Sequence, residues 1–297
     1  MAIVLGANQY GKAEVRLLHV SRDGGTHEIT DLNVSVALSG DLAAAHLTGD
    51  NSAVLTTDAQ KNTVFAFARE HGPGQIEDFA LLLARHFVAS QEAISFARVT
   101  VEQYPWERLG GHSFRRSGRE VRTATVSHDG RDSWVVSGLH DLVVLNSAGS
   151  EFWGFARDRY TTLAETTDRI LATAVDAQWR HAGAPGHGAG SGSGPEPGPD
   201  WAGSYAGARD LLLAAFADTH SYSLQQTLYA MGRRVLEGRP EIAEIRLSLP
   251  NKHHYEVDMS PFGIANGGEV FYAADRPYGL IEGTVTRDDA PPPGKAW

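Results

Sequence analysis

Apolar and polar residues alternate along several short segments of the first half of the chain, with the period of two that is typical of half-buried strands. These strand-like segments are 13–17, 32–38, 97–101 and 121–127. Two stretches between them, 57–69 and 76–88, have the 3.6-residue period of amphipathic helices. In the second stretch the period predicts one apolar face made of Phe79, Leu82, Leu83 and Phe87. The first half therefore predicts the order strand, strand, helix, helix, strand, strand.

The second half repeats this kind of order with different residues. Its strand-like segments are 134–145, 174–179, 243–249 and 280–286, and its helical ones are 206–217 and 224–236. Two capping boxes predict helix starts, one at Thr162–Glu165 for a short helix and one at Ser223–Gln226 for the last helix. Because antiparallel strands and paired helices occur in both halves, we predict an α+β fold of two modules.

Composition marks one insert and one tail. Residues 181–200 are crowded with Gly, Pro and Ser, which bury too little apolar surface to offset the entropy of ordering, so we expect a mobile surface loop there. Residues 288–297 contain three consecutive prolines and are expected to be disordered. The predicted modules are therefore 1–130 and 131–287, with the insert inside the second module.

The overall composition narrows the function classes. The chain has 297 residues and no cysteine, which excludes disulfide scaffolds, thiolate zinc sites, iron–sulfur clusters and cysteine nucleophiles. A formal charge of −10 without a dense basic patch argues against a nucleic-acid partner. The longest apolar runs fall far short of the roughly 20 residues that a membrane span needs. We therefore expect a protein that acts on a small molecule.

No standard catalytic motif is present, and the first candidate residues have two interpretations each. Lys12 lies at the entry to the first strand, where a lysine is ordinarily a surface charge. Thr57 and Asp58 lie at a helix start. Either side chain can cap the helix there, or the exposed N–H groups can bind an anionic ligand. Spacing alone does not decide between these interpretations.

The candidates of the second half are equally open. Phe152 begins the aromatic cluster Phe-Trp-Gly-Phe, which either packs in a core or offers a platform for a flat ring. Arg169 follows Glu165 by four residues, which fits an ion pair on a helix surface. The Arg169 guanidinium can instead present its planar fork to a carbonyl and an adjacent nitrogen. Asn251 and His253 lie in a polar segment after a strand.

Taken together and in this order, several segments resemble the urate oxidase (uricase) family along nearly the whole chain. The matching segments are Tyr10-Gly-Lys12, Thr57-Asp-Ala-Gln-Lys-Asn-Thr63, Phe152-Trp-Gly-Phe-Ala-Arg-Asp-Arg-Tyr-Thr-Thr-Leu163, Thr167-Asp-Arg-Ile-Leu171, Ser223-Leu-Gln-Gln-Thr-Leu-Tyr-Ala-Met231, Pro250-Asn-Lys-His253 and Gly279-Leu-Ile-Glu-Gly-Thr-Val285. The insert and the tail lie outside the resemblance. It implies two tandem tunnelling-fold (T-fold) modules, each an antiparallel sheet with paired helices on one face.

The resemblance also implies an activity. Members of this family are homotetramers with active sites between subunits, and they oxidise urate with dioxygen and water to 5-hydroxyisourate and hydrogen peroxide in purine degradation. They use neither a metal nor an organic cofactor, so we expect none here. Urate and dioxygen are the expected small-molecule substrates, with no nucleic-acid or membrane partner.

The resemblance assigns roles to individual residues by motif position. Arg169 would hold the urate carbonyl and ring nitrogen, Gln225 would clamp the opposite edge, and Phe152 would stack on the purine. Thr57 and Asp58 of a neighbouring subunit would bind through their N–H groups. The remaining assignments are a backbone contact from Leu224, where the family often has valine, a proton relay of Lys12, Thr57 and His253, and a dioxygen or water site at Asn251.

Two other functions stay open at this point. One is a zinc-dependent enzyme that processes a pterin or GTP on the same fold, although the chain lacks cysteine and a close trio of ligands. The other is a catalytically inactive purine-binding homologue. The chain shows no basic region before its first apolar run and lacks the peroxisomal tripeptide of eukaryotic relatives, so we expect the cytoplasm of a bacterium.

Overall fold

The computed structural model describes residues 1–22, 25–183 and 199–297, which form twelve β-strands and five α-helices. The strands are β1 (Tyr10–Ser21), β2 (Glu28–Gly40), β3 (Ile94–Tyr104), β4 (Trp106–Arg108), β5 (Phe114–Arg116), β6 (Val121–His128), β7 (Ser133–Asn146), β8 (Leu171–His181), β9 (Ile242–Asn251), β10 (His254–Glu256), β11 (Phe271–Ala273) and β12 (Gly279–Thr286). The helices are α1 (Ala43–Leu47), α2 (Thr57–Glu70), α3 (Ile76–Ser90), α4 (Trp201–Asp218) and α5 (Leu224–Gly238). The predicted α+β class is confirmed.

The chain divides into two compact units. The first comprises Met1–Gly138, Trp179–Tyr205 and Pro291–Trp297, and the second comprises Leu139–Gln178 and Ala206–Ala290. Strands β7 and β8 and helix α4 each contribute residues to both units. The division into modules 1–130 and 131–287 stays a prediction.

In the first unit, β1, β2, β3 and β6 are hydrogen-bonded in that order as antiparallel neighbours, and β7 follows β6. Helix α3 buries Phe79, Leu83 and Phe87 in the core of this unit. Leu82, by contrast, is exposed, although the sequence pattern placed it on the same face. Each residue turns the helix by about 100°, so Leu83 and Phe87 lie about 40° and 80° from Phe79 in one direction, whereas Leu82 lies about 60° from it in the other direction. Leu82 therefore falls outside the buried stripe.

In the second unit, the strand order is β7, β8, β9 and β12, with β9 and β12 antiparallel. Helix α5 packs on β9 and β12 and buries Leu228, Met231 and Val235. Ser223 caps α5, since its hydroxyl oxygen accepts from the Gln226 N–H at 3.2 Å. The helix start predicted here is therefore confirmed. The Gln226 side chain accepts from the Tyr222 N–H at 2.8 Å, so the reciprocal bond of a capping box is made to the residue before the cap and not to Ser223 itself.

The prediction of a helix start at the other capping box, Thr162–Glu165, is wrong. Residues 147–170 contain no helix, and Thr162–Glu165 forms part of this long connection. The Glu165 carboxylate accepts from the Gly154 N–H at 3.1 Å, eleven residues upstream, instead of the N-cap position of its own segment. The short helix α1 and the hairpins β4–β5 and β10–β11 lack a long periodic pattern and were not predicted.

The structure describes little of the insert but all of the tail. Of the loop expected over 181–200, residues 184–198 lie outside the described residues. The tail expected to be disordered has contacts in the first unit, because the Arg98 guanidinium donates to the carbonyls of Lys295 and Trp297 at 3.1 and 2.7 Å. Ala296 is only 3% exposed, and the Lys295 ammonium lies 3.1 Å from Asp129. None of the described helices is long and apolar enough to cross a membrane.

Candidate active site

The predicted residues of the first unit, Lys12, Thr57 and Asp58, form a group that we call the lysine cluster. Lys12 lies on β1 just before a β-bulge, where the register with β2 shifts between Lys12 and Val15. At this bulge Glu14 adopts a φ of 56°, and its N–H donates to the Ser35 hydroxyl at 3.0 Å. Bulges locally bend a strand and re-aim its side chains. The start of β1 is tied to the segment before α2, because the Tyr10 hydroxyl donates to the Leu55 carbonyl at 3.0 Å.

Helix α2 presents unpaired N–H groups at its start. Thr56 is the cap, since its hydroxyl oxygen accepts from the Ala59 N–H at 3.1 Å, and its carbonyl accepts from the Gln60 N–H at 3.1 Å. An α-helix leaves its first N–H groups without intrahelical partners. Among the described residues, no acceptor is found for the N–H groups of Thr57 and Asp58. The interpretation of Thr57 or Asp58 as the cap is therefore wrong. The unpaired N–H groups of these two residues agree with the anion-binding interpretation.

The Asp58 carboxylate bonds within its own helix. It accepts from the Lys61 ammonium at 2.6 Å and from the Asn62 amide at 2.9 Å. The hydrogen bond and charge of Lys61 lower the pKa of Asp58, and Lys12 lowers it further. Asp58 is therefore ionised at neutral pH, and the positive charge of Lys12 is electrostatically coupled to the start of α2.

The predicted residues of the second unit form a group that we call the arginine cluster: Phe152, Arg169, Leu224, Gln225, Asn251 and His253. Phe152 and Arg169 both lie in the 147–170 connection. Phe152 and Thr166 hold the two arms of this connection together, because each N–H donates to the other's carbonyl, at 2.8 and 3.0 Å. Long connections without regular structure that are nevertheless pinned in this way are commonly functional.

Arg169 is a partly buried cation without a carboxylate partner among the residues that the structure describes. Burial lowers the pKa of Arg169, and no anionic neighbour offsets that effect. The guanidinium carbon lies 5.1 Å from the centroid of the Phe152 ring, within the cation–π range. The alternative ion pair with Glu165 is wrong, since Glu165 lies 3.8 Å from Arg157 instead. A partly desolvated, unpaired guanidinium favours an anionic ligand.

His253 follows β9 and is held by its backbone. Its carbonyl accepts from the Ala274 N–H at 2.9 Å, and the preceding Lys252 N–H donates to the Ala172 carbonyl at 2.8 Å. The imidazole stacks against Tyr255 with ring centroids 5.8 Å apart. Burial, the charge of Arg169 and the charge of His254 all lower the pKa of His253. The imidazole is therefore neutral at neutral pH and able to accept a proton.

Helix α5 presents its start in the same way as α2. Ser223 takes the N–H groups of Gln226 and Thr227, at 3.2 and 3.1 Å, which leaves those of Leu224 and Gln225 without an acceptor among the described residues. Leu224 is buried and Gln225 is exposed. A contact through the backbone of Leu224 is thus compatible with the burial of its side chain.

Some of the predicted residues contact or influence one another directly, whereas others are placed only by the strand or helix that carries them. Arg169 lies against Phe152 and close enough to His253 to lower its pKa. Asn251 ends β9, opposite Gly279 of β12, two residues before His253. In the described part of the chain, no direct hydrogen bond links Arg169 to Gln225 or Asn251.

Three buried hydroxyl residues join the arginine cluster and were missed by sequence reasoning: Ser150, Ser221 and Thr227. The Ser150 hydroxyl accepts from the Nε of Arg169 at 3.2 Å. The Ser221 hydroxyl accepts from Thr227 at 2.8 Å and donates to the carbonyl of Ser223 at 3.1 Å. Single Ser and Thr residues without a motif carry no pattern in the sequence, and only their complete burial identifies them.

No group of three or more His, Asp or Glu side chains suited to hold a metal ion occurs within residues 1–22, 25–183 and 199–297. The cysteine count of zero holds for the whole chain.

Comparisons with known proteins agree on one family. A family model described as Uricase matches residues 8–127 and 135–282. The chain is 51% identical to a uricase of Arthrobacter globiformis, over 99% of this chain and 94% of that protein. It is 36% identical to a uricase of Aspergillus flavus, over 95% and 96% of the two chains. The crystal structure of the Arthrobacter globiformis uricase superposes with a TM-score of 0.90 and 52% identity, and covers 98% of each chain.

Proposed function

This chain belongs to the uricase family and is a urate oxidase, and from that premise we propose that the lysine and arginine clusters together carry out the oxidation of urate by dioxygen and water. The products are 5-hydroxyisourate and hydrogen peroxide. Two electrons pass from urate to dioxygen, water adds its oxygen to the purine, and two protons complete the peroxide, so that atoms and electrons balance.

The observation that carries the assignment of roles is the environment of Arg169. Urate is a flat anion that presents a carbonyl next to a ring nitrogen, which matches the planar fork of a guanidinium. Arg169 is partly buried and lacks a carboxylate partner among the described residues, and it lies 5.1 Å from the Phe152 ring. A purine bound to Arg169 would stack on Phe152. The local charge of Arg169 also explains how a chain of net charge −10 binds an anion.

The other contacts to urate come from the helix starts. The Gln225 side chain clamps the edge opposite Arg169, and the Leu224 N–H bonds the substrate. The N–H groups of Thr57 and Asp58 bind the anion at the positive end of α2. Asn251 holds dioxygen or water above the ring.

Proton transfer is assigned to Lys12, Thr57 and His253. Lys12, once its ammonium has lost a proton, acts through the Thr57 hydroxyl to remove a proton from urate. The neutral His253 imidazole accepts or returns a proton at the other end of the relay. The lowered pKa of His253 supports this role, because the imidazole must be uncharged to accept a proton at neutral pH. Residues of the lysine cluster reach the arginine cluster of a neighbouring subunit in a homotetramer.

We assign the enzyme no metal or organic cofactor. Urate is electron-rich enough to donate electrons to dioxygen itself, so the protein has to bind it, remove its proton and position dioxygen. Purine degradation in the bacterial cytoplasm stays the expectation for its cellular role.

The proposal is tested by following the loss of urate's ultraviolet absorbance in air, with peroxide measured in parallel, before and after exhaustive chelation. We expect one peroxide for each urate lost and an unchanged rate after chelation. A rate that disappears on chelation and returns with zinc or copper would contradict cofactor-independent oxidation.

The same assay tests the role of Arg169. Arg169→Ala is expected to weaken the binding of urate and of xanthine, an unreactive purine, by roughly ten- to a hundredfold, because hydrogen bonds to charged groups contribute about 1.5–3 kcal/mol each. Arg233→Ala is the matched control, since Arg233 is an exposed α5 residue whose guanidinium pairs with Glu237. Unchanged xanthine binding in Arg169→Ala would remove Arg169 from the substrate site.

A further inference from the structure

Ser150 occupies an unusual position relative to Arg169. Its side chain is completely buried, yet its hydroxyl oxygen accepts from the Arg169 Nε at 3.2 Å. A guanidinium has one Nε–H and two terminal amino groups. A partner on Nε fixes the rotation of the guanidinium plane and directs the two terminal amino groups away from that partner.

The backbone of Ser150 is fixed in turn by Ser221. Ser150 and Ser221 form an isolated parallel bridge, in which the Glu151 N–H donates to the Ser221 carbonyl at 2.7 Å and the Ser221 N–H donates to the Gly149 carbonyl at 3.0 Å. Both serines are 0% exposed. The segment that holds Arg169 is therefore attached by its main chain to the residues immediately before α5.

Ser221 is attached to α5 itself. Its hydroxyl donates to the Ser223 carbonyl at 3.1 Å and accepts from the Thr227 hydroxyl at 2.8 Å, and Thr227 is also 0% exposed. Ser223 is the cap of α5, and Leu224 and Gln225 form its first turn. Buried hydroxyls that are all hydrogen-bonded make a rigid connection, because each unpaired polar group would be costly in the interior.

We propose that Ser150 is a positioning residue that aligns the Arg169 guanidinium and, through Ser221 and Thr227, sets its orientation relative to the start of α5. Ser150 itself does not touch the substrate. This inference rests on the proposed function, since it assigns Arg169 and the first turn of α5 to the two opposite edges of the same purine. It adds a determinant of substrate affinity that lies outside the motifs of the sequence.

The test compares Ser150→Ala with Ser147→Ala. Ser147 lies in the same connection but is exposed and has no side-chain hydrogen bond within the described part of the chain. We expect Ser150→Ala to raise the Kd of xanthine and the KM of urate roughly five- to thirtyfold, the loss of one to two typical hydrogen bonds, with a smaller change in kcat. Ser147→Ala should behave like the wild type.

A double-variant comparison separates positioning from a general structural effect. Arg169→Lys removes the Nε–H that Ser150 accepts, so adding Ser150→Ala to Arg169→Lys should change the xanthine Kd by less than about twofold. If Ser150→Ala weakens xanthine binding equally in both backgrounds, or leaves it unchanged in the wild-type background, the inference is overturned. Failure of the proposed function itself would show differently, as wild-type protein that does not oxidise urate at all.

Discussion

Burial and two neighbouring side chains together set the pKa of His253. The ordinary pKa of a histidine is about 6.5, and burial, Arg169 and His254 all act on His253 in the same direction, downward. Each of them disfavours the charged imidazolium, because burial removes its hydration and two positive neighbours repel it. In the proposed site, the guanidinium that binds the anionic substrate thus acts together with burial to keep the His253 imidazole neutral.

This electrostatic coupling predicts a pH effect. If neutral His253 is needed, kcat/KM should fall on the acid side only below pH about 6.5. His254→Ala removes one positive neighbour, so the pKa of His253 should rise and the acid limb should move to higher pH. The measurement is kcat/KM for urate between pH 5 and 8 in both proteins. The ionisation of urate is common to the two profiles, so their difference reports the enzyme.

Two outcomes would contradict this role. An acid limb that stays in place in His254→Ala, or that moves to lower pH, would show that His253 does not determine it. His46→Ala is the control, because His46 lies in α1 and belongs to neither cluster.

At the scale of elements, two helix starts are built alike. Thr56 and Ser223 each cap a helix and accept hydrogen bonds from two N–H groups. The N–H groups of the two residues directly after each cap stay without an acceptor among the described residues. Positive partial charge at a helix start attracts anions. A capped helix start with two unpaired N–H groups therefore occurs in both the lysine cluster and the arginine cluster.

The position of α5 depends on close packing against two strands. At Gly232 an added Cβ would lie 2.6 Å from the Val285 Cγ2 and 3.2 Å from the Ile245 Cγ2. Alanine favours a helix by about 1 kcal/mol over glycine, whereas overpacking of a core costs about 1–3 kcal/mol. We therefore expect Gly232→Ala to lower the free energy of unfolding by about 1 kcal/mol and Tm by a few degrees, measured by thermal unfolding at one fixed protein concentration.

Gly110→Ala is the matched control for this substitution. Nothing lies within 4 Å of the Cβ that it would add, and Gly110 does not have a positive φ. Its Tm should stay close to that of the wild type. A Tm of Gly232→Ala equal to or above that of Gly110→Ala would show that α5 moves away from β9 and β12 at little cost.

At the scale of the whole molecule, the two clusters belong to different compact units, and the proposed function joins clusters from neighbouring subunits. Co-expression of Lys12→Ala with Arg169→Ala tests this arrangement, since each variant is damaged in a different cluster. If every site combines clusters of two subunits, random assembly should restore roughly a quarter of the sites, because each cluster is intact in roughly half of the chains. The measurement is urate turnover per purified protein.

The control is co-expression of Lys12→Ala with Thr57→Ala. Both substitutions damage the lysine cluster, so no combination of subunits restores a complete site. If both clusters of a site come from one chain, the Lys12→Ala and Arg169→Ala mixture should also stay inactive, and that result would contradict the arrangement between subunits.

Local sequence pattern is sufficient to place an element where the residues that form it lie close together in the chain. Period-two alternation located β2 and β9, and the Ser223–Gln226 box located the start of α5, because both depend on residues close in sequence. The Thr162–Glu165 box failed although it has the same residue types. The Glu165 carboxylate accepts from the Gly154 N–H instead, and no apolar helical face that could be buried follows this segment.

The α+β class, the long strands and helices, the family and the candidate residues of both clusters all follow from the amino-acid sequence. These depend on periodicity and on contiguous segments that the chain carries in every conformation. Two facts come from the folded chain alone: Leu82 is exposed, and Ser150 accepts a hydrogen bond from Arg169, which lies far from it along the chain. Those facts depend on which side chains folding brings together and which it removes from water, and residues far apart in sequence carry no local pattern that records their contact.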